Sequence, residues 1–388
     1  MKVRYFVAGC VTRLFGFALF IIGSQGTAVN DMSEIIYLAL QNLFGGINPY
    51  SVQYELHWGA TTFTQPFNYG PVTLLMYLPA MLLPMWVGNW WPGMHLMATI
   101  YDFLFCEAII KIAGKDKDLQ RYSKLKLDDN QKQADKRPIN KFLFYAGGFL
   151  WIFPMGTVYI TMFISMPVLL CCLAWCYRDN VKLSAMFIFA ACMSYQLCLL
   201  ILPWYLIYYI KKNLPGDFQW KNIFSDKDVF NNVLRTLVNI LIGALPVIIV
   251  TLVFLLWDDP MHLINSLFLW SSEKGYVKAP GSEIGGDELY FSIPKLLYEV
   301  SGGDIQIGNL ARAVAFVILI AVALLYLFTD KMNDHVKAYY QYSILAVALF
   351  ILTTNIGAIH YIYFMFFPIF VMVQYKKPDF RKEKVAGR

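Results

Sequence analysis

The sequence predicts an all-α polytopic membrane protein of about ten spans, and three observations predict it. The 388 residues are 58% hydrophobic and only 15% charged, too apolar for a soluble globular chain. Apolar runs close to the roughly 20 residues that cross a bilayer recur along the chain. Basic residues gather between those runs, so the net charge of +6 reads as positive-inside topology and not as a nucleic-acid surface. All seven cysteines (Cys10, Cys106, Cys171, Cys172, Cys176, Cys192, Cys198) sit in or beside apolar stretches. They read as packing residues, not as disulfides or metal ligands.

Lys2 and Arg4 place the N-terminus in the cytoplasm, so span 1 (residues 5–23) delivers residues 30–92 outside. Arg13 interrupts that span, and no signal-peptide cleavage site follows it. The outer segment opens N-D-M-S-E-I-I-Y-L-A-L-Q-N-L-F-G-G. Met32, Ile36, Leu40 and Leu43 form one stripe, and Asp31, Glu34 and Gln41 another, which predicts a short amphipathic helix lying in the membrane interface. Gly45-Gly46 ends it and Asn48-Pro49 turns the chain back. A second juxtamembrane or re-entrant helix is expected over 71–87, broken by Pro79 and Pro84 and anchored by Trp90-Trp91.

The region 111–141 holds ten Lys/Arg against five Asp, so 114–141 is expected as a cytoplasmic loop and only one span, 93–113, fits before it. Core spans continue to residue 257. Residues 142–154 rise to the outside and 159–177 return. Residues 183–210 are long for one span and carry a polar Ser194-Tyr195-Gln196 at their middle, which favours a hairpin of two short spans over one tilted helix. Residues 211–235 form a cytoplasmic loop and 236–257 go out. A second outer loop covers 258–309, the last three spans fill 310–375, and the basic tail 376–388 stays inside. Both termini are then cytoplasmic, in a plasma membrane or, in a eukaryote, the endoplasmic reticulum. Arg13, Asp102 and Glu107 fall within the first two spans, where pairing of Arg13 with one of the acids is the simplest account.

Candidate chemistry concentrates on the outer side. Asp31 and Glu34 would hold two carboxylates at the membrane surface, although D-x-x-E also resembles a helix-capping box. Asn48, Tyr50, Tyr69, Gly70 and Pro71 read first as turn formers. His57 and Trp58 lie in the link between the two outer helices. Asp258 and Asp259 are weak candidates for a divalent cation, since two acids before Pro260 are more often a solvated span end. Glu273, Lys274, Tyr276 and Lys278 form a polar cluster in which Lys278 suits a phosphate. Gly281, Gly285-Gly286 and Gly302-Gly303 suggest a lid. Arg312 and His360, near the outer ends of their spans, suit a lipid phosphate or, as the plainer reading, snorkelling and bundle packing.

An Asp just after the first span, an amphipathic segment, then G-x-N-P-Y and Y-G-P resembles the integral-membrane glycosyltransferases of the C superfamily. The residues are Asp31, Gly46-Ile47-Asn48-Pro49-Tyr50 and Tyr69-Gly70-Pro71. The nearest likeness is to the polyprenyl-phosphate-mannose-dependent mannosyltransferases and their uncharacterised relatives. His360-Tyr361-Ile362-Tyr363 leading to Pro368 is similar to the end of the last span in such enzymes. As architecture the resemblance covers most of the chain; its motifs are few and short. It implies a GT-C-like bundle and transfer of a sugar, with inversion, from a polyprenyl-phosphate donor to a lipid or glycan acceptor outside the membrane. It further implies Asp31 as general base, Glu34 beside it, and Asn48, Tyr50, Tyr69, Lys278, Arg312 and His360 about the substrate or its phosphate, with no cofactor required. The alternative is a transporter or flippase, whose polar path would use Arg13, Asp102, Glu107 and Ser194-Tyr195-Gln196. No paired repeat supports it. A non-catalytic scaffold of a glycan-assembly complex is a lesser third class.

Overall fold

The structure, a computed structural model, describes residues 3–23, 31–58, 61–82, 91–124, 165–212, 226–269, 293–328 and 345. These residues are mostly helical. The helices are α1 (Val3–Gly23), α2 (Asp31–Phe44), α3 (Pro71–Tyr77), α4 (Trp91–Lys124), α5 (Ser165–Cys176) and α6 (Val181–Cys192). They continue with α7 (Leu202–Lys212), α8 (Lys227–Leu255), α9 (Pro260–Ile264), α10 (Ile293–Val300) and α11 (Ile305–Phe328). Helices α4, α5, α6 and α8 pack side by side in that order, and six of the seven cysteines are buried.

Two helices among the described residues are long and apolar enough to cross a membrane: Trp91–Ile112 within α4, and α8. Helix α8 is two-faced. Val233, Ile240, Ala244, Val247 and Phe254 are buried against the bundle, while Leu237, Leu241, Leu245, Ile249 and Leu252 stand exposed along the opposite side. A contiguous apolar ridge of that length is foreign to a water-facing surface. Three expected boundaries move. Helix α4 carries its residues Gly114–Lys124 into the expected loop 114–141, α8 begins at Lys227 within the expected loop 211–235, and α11 begins at Ile305, ahead of 310. The spans expected over 142–154, 340–354 and 356–373 lie outside the described residues, Leu345 apart.

The all-α expectation needs correcting in the first outer segment. Gln53–Trp58 (β1) and Thr61–Pro66 (β2) form an antiparallel hairpin with Gln53 opposite Pro66 and Trp58 opposite Thr61. Its alternation is that of a half-buried strand: Tyr54 and Leu56 are buried, Gln53, Glu55 and His57 exposed. The hairpin covers α2. Ile35, Ile36, Ala39 and Leu40 are fully buried against β1, α3 and α4. The apolar face of α2 therefore packs on protein, where the interface-plane expectation had it lie on lipid. Its end is as expected, with Gly46 at φ +76°, a conformation natural to glycine.

Residues 183–210 form two helices, not one. Helix α6 stops at Cys192, a 3-10 turn covers Gln196–Leu200, and α7 follows. The two carbonyls after the break do not go unsatisfied. Met193 O accepts from Val72 N (3.1 Å), and Ser194 O accepts from Gly70 N (3.0 Å) and Thr73 Oγ1 (2.9 Å). The C-terminal end of α6 thus meets the N-terminal end of α3, each supplying the partners the other lacks. Pro71 at the first position of α3 has no N–H to place. Gly70 has φ −71°, open to any residue, so conformation does not demand glycine. Space does: a Cβ there would overlap the Met193 carbonyl.

Arg13 pairs with Asp102, not Glu107. The two side chains are 3% exposed each. Arg13 Nε donates to Asp102 Oδ2 (2.6 Å), Nη1 donates to Gly9 O (3.0 Å), and the guanidinium lies over Phe103. α1 is therefore fixed to α4 through a charge pair with no access to water.

Two outcomes are expected. Arg13→Ala, which strands the Asp102 carboxylate, should cost about 3–5 kcal/mol and deplete folded protein, whereas Arg13→Met with Asp102→Leu should recover it, read by yield and fluorescence size-exclusion. Gly70→Ala should destabilise by about 1–3 kcal/mol or more, because backbone must move. Gly45→Ala, whose Cβ would meet nothing nearer than 3.4 Å, should leave the thermal midpoint in place.

Candidate functional site

Helix α2 organises the region between α1 and α4. Asp31 opens it, and the next turn sets Met32 and Ile36 into a small, partly open pocket. Tyr69 and Thr73 reach it from the start of α3, Met166 and Pro167 from α5, and Ser194 and Tyr195 from the break after α6. Tyr69 stacks on Tyr195, ring centroids 5.9 Å apart and planes 23° from parallel. The site is thus a small apolar cleft with an aromatic wall and a few polar groups. The Asp31 carboxylate lies outside the described side chains.

Glu34, one turn after Asp31, is held from the hairpin. His57 donates its backbone N–H to Glu34 Oε2 (2.7 Å), and its ring Nδ1 lies 2.8 Å from Oε1. Glu34 is thus engaged by β1 and not by the helix end that a capping box would occupy.

Asn48, Tyr50 and Tyr69 are joined into a scaffold. Asn48 Nδ2 donates to Asp258 Oδ1 (2.7 Å) and Asn48 Oδ1 accepts from Tyr50 N (3.0 Å); the backbone donor fixes which way the amide faces. Tyr50 OH donates to Tyr69 O (2.8 Å), and its ring packs on Phe67 and Phe254. Burial pushes the Tyr50 phenol well up from its ordinary range, and that of Tyr54 up to about 12. Tyr54 OH donates to Pro49 O (2.9 Å) and accepts from Asn42 Nδ2 (3.1 Å). Ten residues separate Glu34 from Phe44, about 15 Å along the axis, so the Asn48–Asp258 and Glu34–His57 contacts sit at opposite ends of α2. Asn48 and Tyr50 shape the site without lining it.

Asp258 and Asp259 each have partners within the protein. Asp258 Oδ1 accepts from Asn48 and faces His262 Nδ1 at 3.3 Å, while Asp259 caps α9, accepting from Met261 N (2.9 Å). No cluster of three or more His, Cys, Asp or Glu suited to a metal occurs among the described residues. Gly302 and Gly303, at φ +77° and +99°, end α10, with Gly303 N bonded to Tyr298 O (2.8 Å). They form a helix stop. Arg312 stands in α11 with its side chain outside those described. Lys278, the rest of its loop cluster and His360 lie outside the described residues.

The sequence reading missed the Glu34–His57 pair and the part played by Tyr195. A signal for the first exists: Gln53-Tyr54-Glu55-Leu56-His57-Trp58 alternates, followed two residues later by another β-prone run, the mark of a hairpin that sets His57 on the polar face. Tyr195 carries no local signal, because its partner is distant in the chain.

Asn48→Ala removes a bond to a carboxylate and leaves Tyr50 N without its acceptor. It should cost about 1.5–3 kcal/mol, seen as a lower thermal midpoint and faster proteolysis between residues 46 and 71.

No protein-family model matches the chain, and no curated protein matches it either.

Proposed function

We propose that this chain is a polyprenyl-phosphate-sugar-dependent hexosyltransferase, a GT-C-like bundle of about ten spans with its site at the outer membrane surface and its termini in the cytoplasm. One observation carries it: the turn after Asp31, the Tyr69-Gly70-Pro71 motif and the Ser194-Tyr195 break meet in a single cleft. The tether from Asn48 to Asp258 adds to it, bringing the end of α8 to the loop after α2, as a transferase with both outer loops on one face requires.

The reaction needs few groups. The Asp31 carboxylate takes the proton of an acceptor hydroxyl as its oxygen bonds to the anomeric carbon from the face opposite the leaving group. The bond from that carbon to the phosphate oxygen breaks with inversion, and polyprenyl phosphate departs with the electron pair. Positive character on the sugar is transient, as in glycoside hydrolysis. Lys278, Arg312 and His360 are the groups assigned to steady the phosphate charge. No divalent cation is needed, and Asp258 and Asp259 are engaged elsewhere. Mannose is the first sugar to test, and the acceptor is a lipid or a glycan.

A second reading, a transporter or flippase, draws on one feature: a helix interrupted at Met193–Tyr195 beside a pocket, the kind of break found at transporter binding sites. Radiolabelled polyprenyl-phosphate sugars supplied to membranes with and without the protein separate the two. Label gained by a lipid or glycan only when the protein is present favours the transferase, and label that merely changes leaflet favours the transporter. Asp31→Asn should lower transfer by about 10²–10⁴-fold with an unchanged elution profile. Full turnover in that purified variant removes Asp31 as the base.

A further inference from the structure

The end of the bundle away from the cleft gathers cations. Helix α5 runs from Met166 and Pro167, which line the cleft, to Cys176, and the turn after it holds Tyr177, Arg178 and Asp179. Lys111 of α4 sets its ammonium 4.8 Å from the centre of the Tyr177 ring. Lys212, the last residue of α7, donates to Arg178 O (3.3 Å) and lies 3.5 Å from Asp179. Tyr209 OH donates to the same carbonyl (2.9 Å), pinning α7 to the turn. Arg178 is buried with its guanidinium 5.1 Å from the centre of the Trp175 ring, and Lys211 is buried against Tyr326. Lys182 stands exposed in the first turn of α6. These five cations stand beside two acids, Asp179 and Glu107. Asp179 serves Lys212, and Lys111 has no ion pair among the described residues, although Glu107 lies one turn before it. Like charges drawn together repel, and an anion set between them removes that cost.

We propose that Lys111 and Lys212 hold the phosphate of an anionic phospholipid at the turn between α5 and α6. Two features point to a lipid over a dissolved anion. The apolar stretch of α4 ends at Ile112, and charge crowds the chain from Lys115 on. Lys111 therefore stands where hydrocarbon meets water, among the tyrosine and tryptophan rings that settle at that depth. Leu96, Ile100 and Leu104, 39–47% exposed, share the face of α4 that carries Lys111, an open track for an acyl chain. From Lys111 to Ile100 is about 16 Å along the axis, one leaflet's half of the roughly 30 Å hydrocarbon core. Basic groups between helices at the cytoplasmic boundary are a recurrent seat for phosphate headgroups. The site rests on the bundle lying in a membrane and not on the transferase chemistry.

The test uses full-length protein in detergent, offered phosphatidylglycerol and phosphatidylcholine with the same acyl chains, and reads retained lipid by native mass spectrometry. Wild type should retain phosphatidylglycerol in preference. Lys111→Gln and Lys212→Gln should each weaken that retention about fivefold, and the two together about 25-fold. Lys227→Gln serves as the charge control: Lys227 lies about 24 Å along α8 from Gly243, the residue that meets Lys182. It should change nothing, and the thermal midpoint of every variant in phosphatidylcholine should match wild type. Equal retention of the two lipids by wild type, or full retention by the double variant, overturns the site. A loss matched by Lys227→Gln reduces the effect to general surface charge, and a midpoint lowered in phosphatidylcholine alone assigns the lysines to packing; either overturns it. Release of bound phosphatidylglycerol by an equal concentration of inorganic phosphate or glycerol 3-phosphate assigns the cluster to a dissolved anion and overturns the lipid. The sugar-transfer assay is independent of all of these, so the transferase reading and the lipid site fail separately.

Discussion

The arrangement around the cleft depends on the meeting of two helix ends. Helix α6 stops at Cys192, and the carbonyls just past it, those of Met193 and Ser194, turn to the first donors of α3, Gly70 N, Val72 N and Thr73 Oγ1. Helix ends are rich in unmet hydrogen-bonding groups, and burying them bare costs about 1–3 kcal/mol each. Joining an acceptor end to a donor end removes both costs at once and aligns opposite partial charges. Because the junction sits between Tyr69 and Tyr195, it also sets the stacked wall of the pocket. A side chain at position 70 would hold the ends apart, so this one glycine couples packing to site geometry.

Around that junction the hairpin does the work that lipid was expected to do. It closes over α2, burying Ile35 and Leu40, and holds Glu34 through His57. A tether from Asn48 to Asp258 and a second from Gln196 Nε2 to Asn68 O (2.5 Å) and Leu267 O (3.1 Å) fasten residues 48–68 to the stretch that follows α8. Segments distant in the chain are therefore held together around the cleft.

What could be read from the sequence was what local chemistry determines. The extent of α2 followed from its periodicity and from Gly45-Gly46. That Arg13 pairs with Asp102 or Glu107 followed from the cost of lone charges in apolar runs, though not which of the two, and the break at Ser194-Tyr195-Gln196 followed from polarity within a long run. The hairpin escaped because its alternating strand is short and the stretch holding His57 and Trp58 read only as a link between two helices. Gly70 was visible but misread as a turn, since nothing local announces a carbonyl arriving from another helix. Tyr69 against Tyr195 and Asn48 against Asp258 are tertiary facts, and no spacing rule reaches them.

The Arg13–Asp102 contact also bears on how independent the helices are. With both side chains 3% exposed, pulling α1 from α4 would leave one stranded charge on each, so the apolar packing around the pair is tied to an electrostatic condition that neither helix meets alone. The two helices are in that sense one element in two pieces.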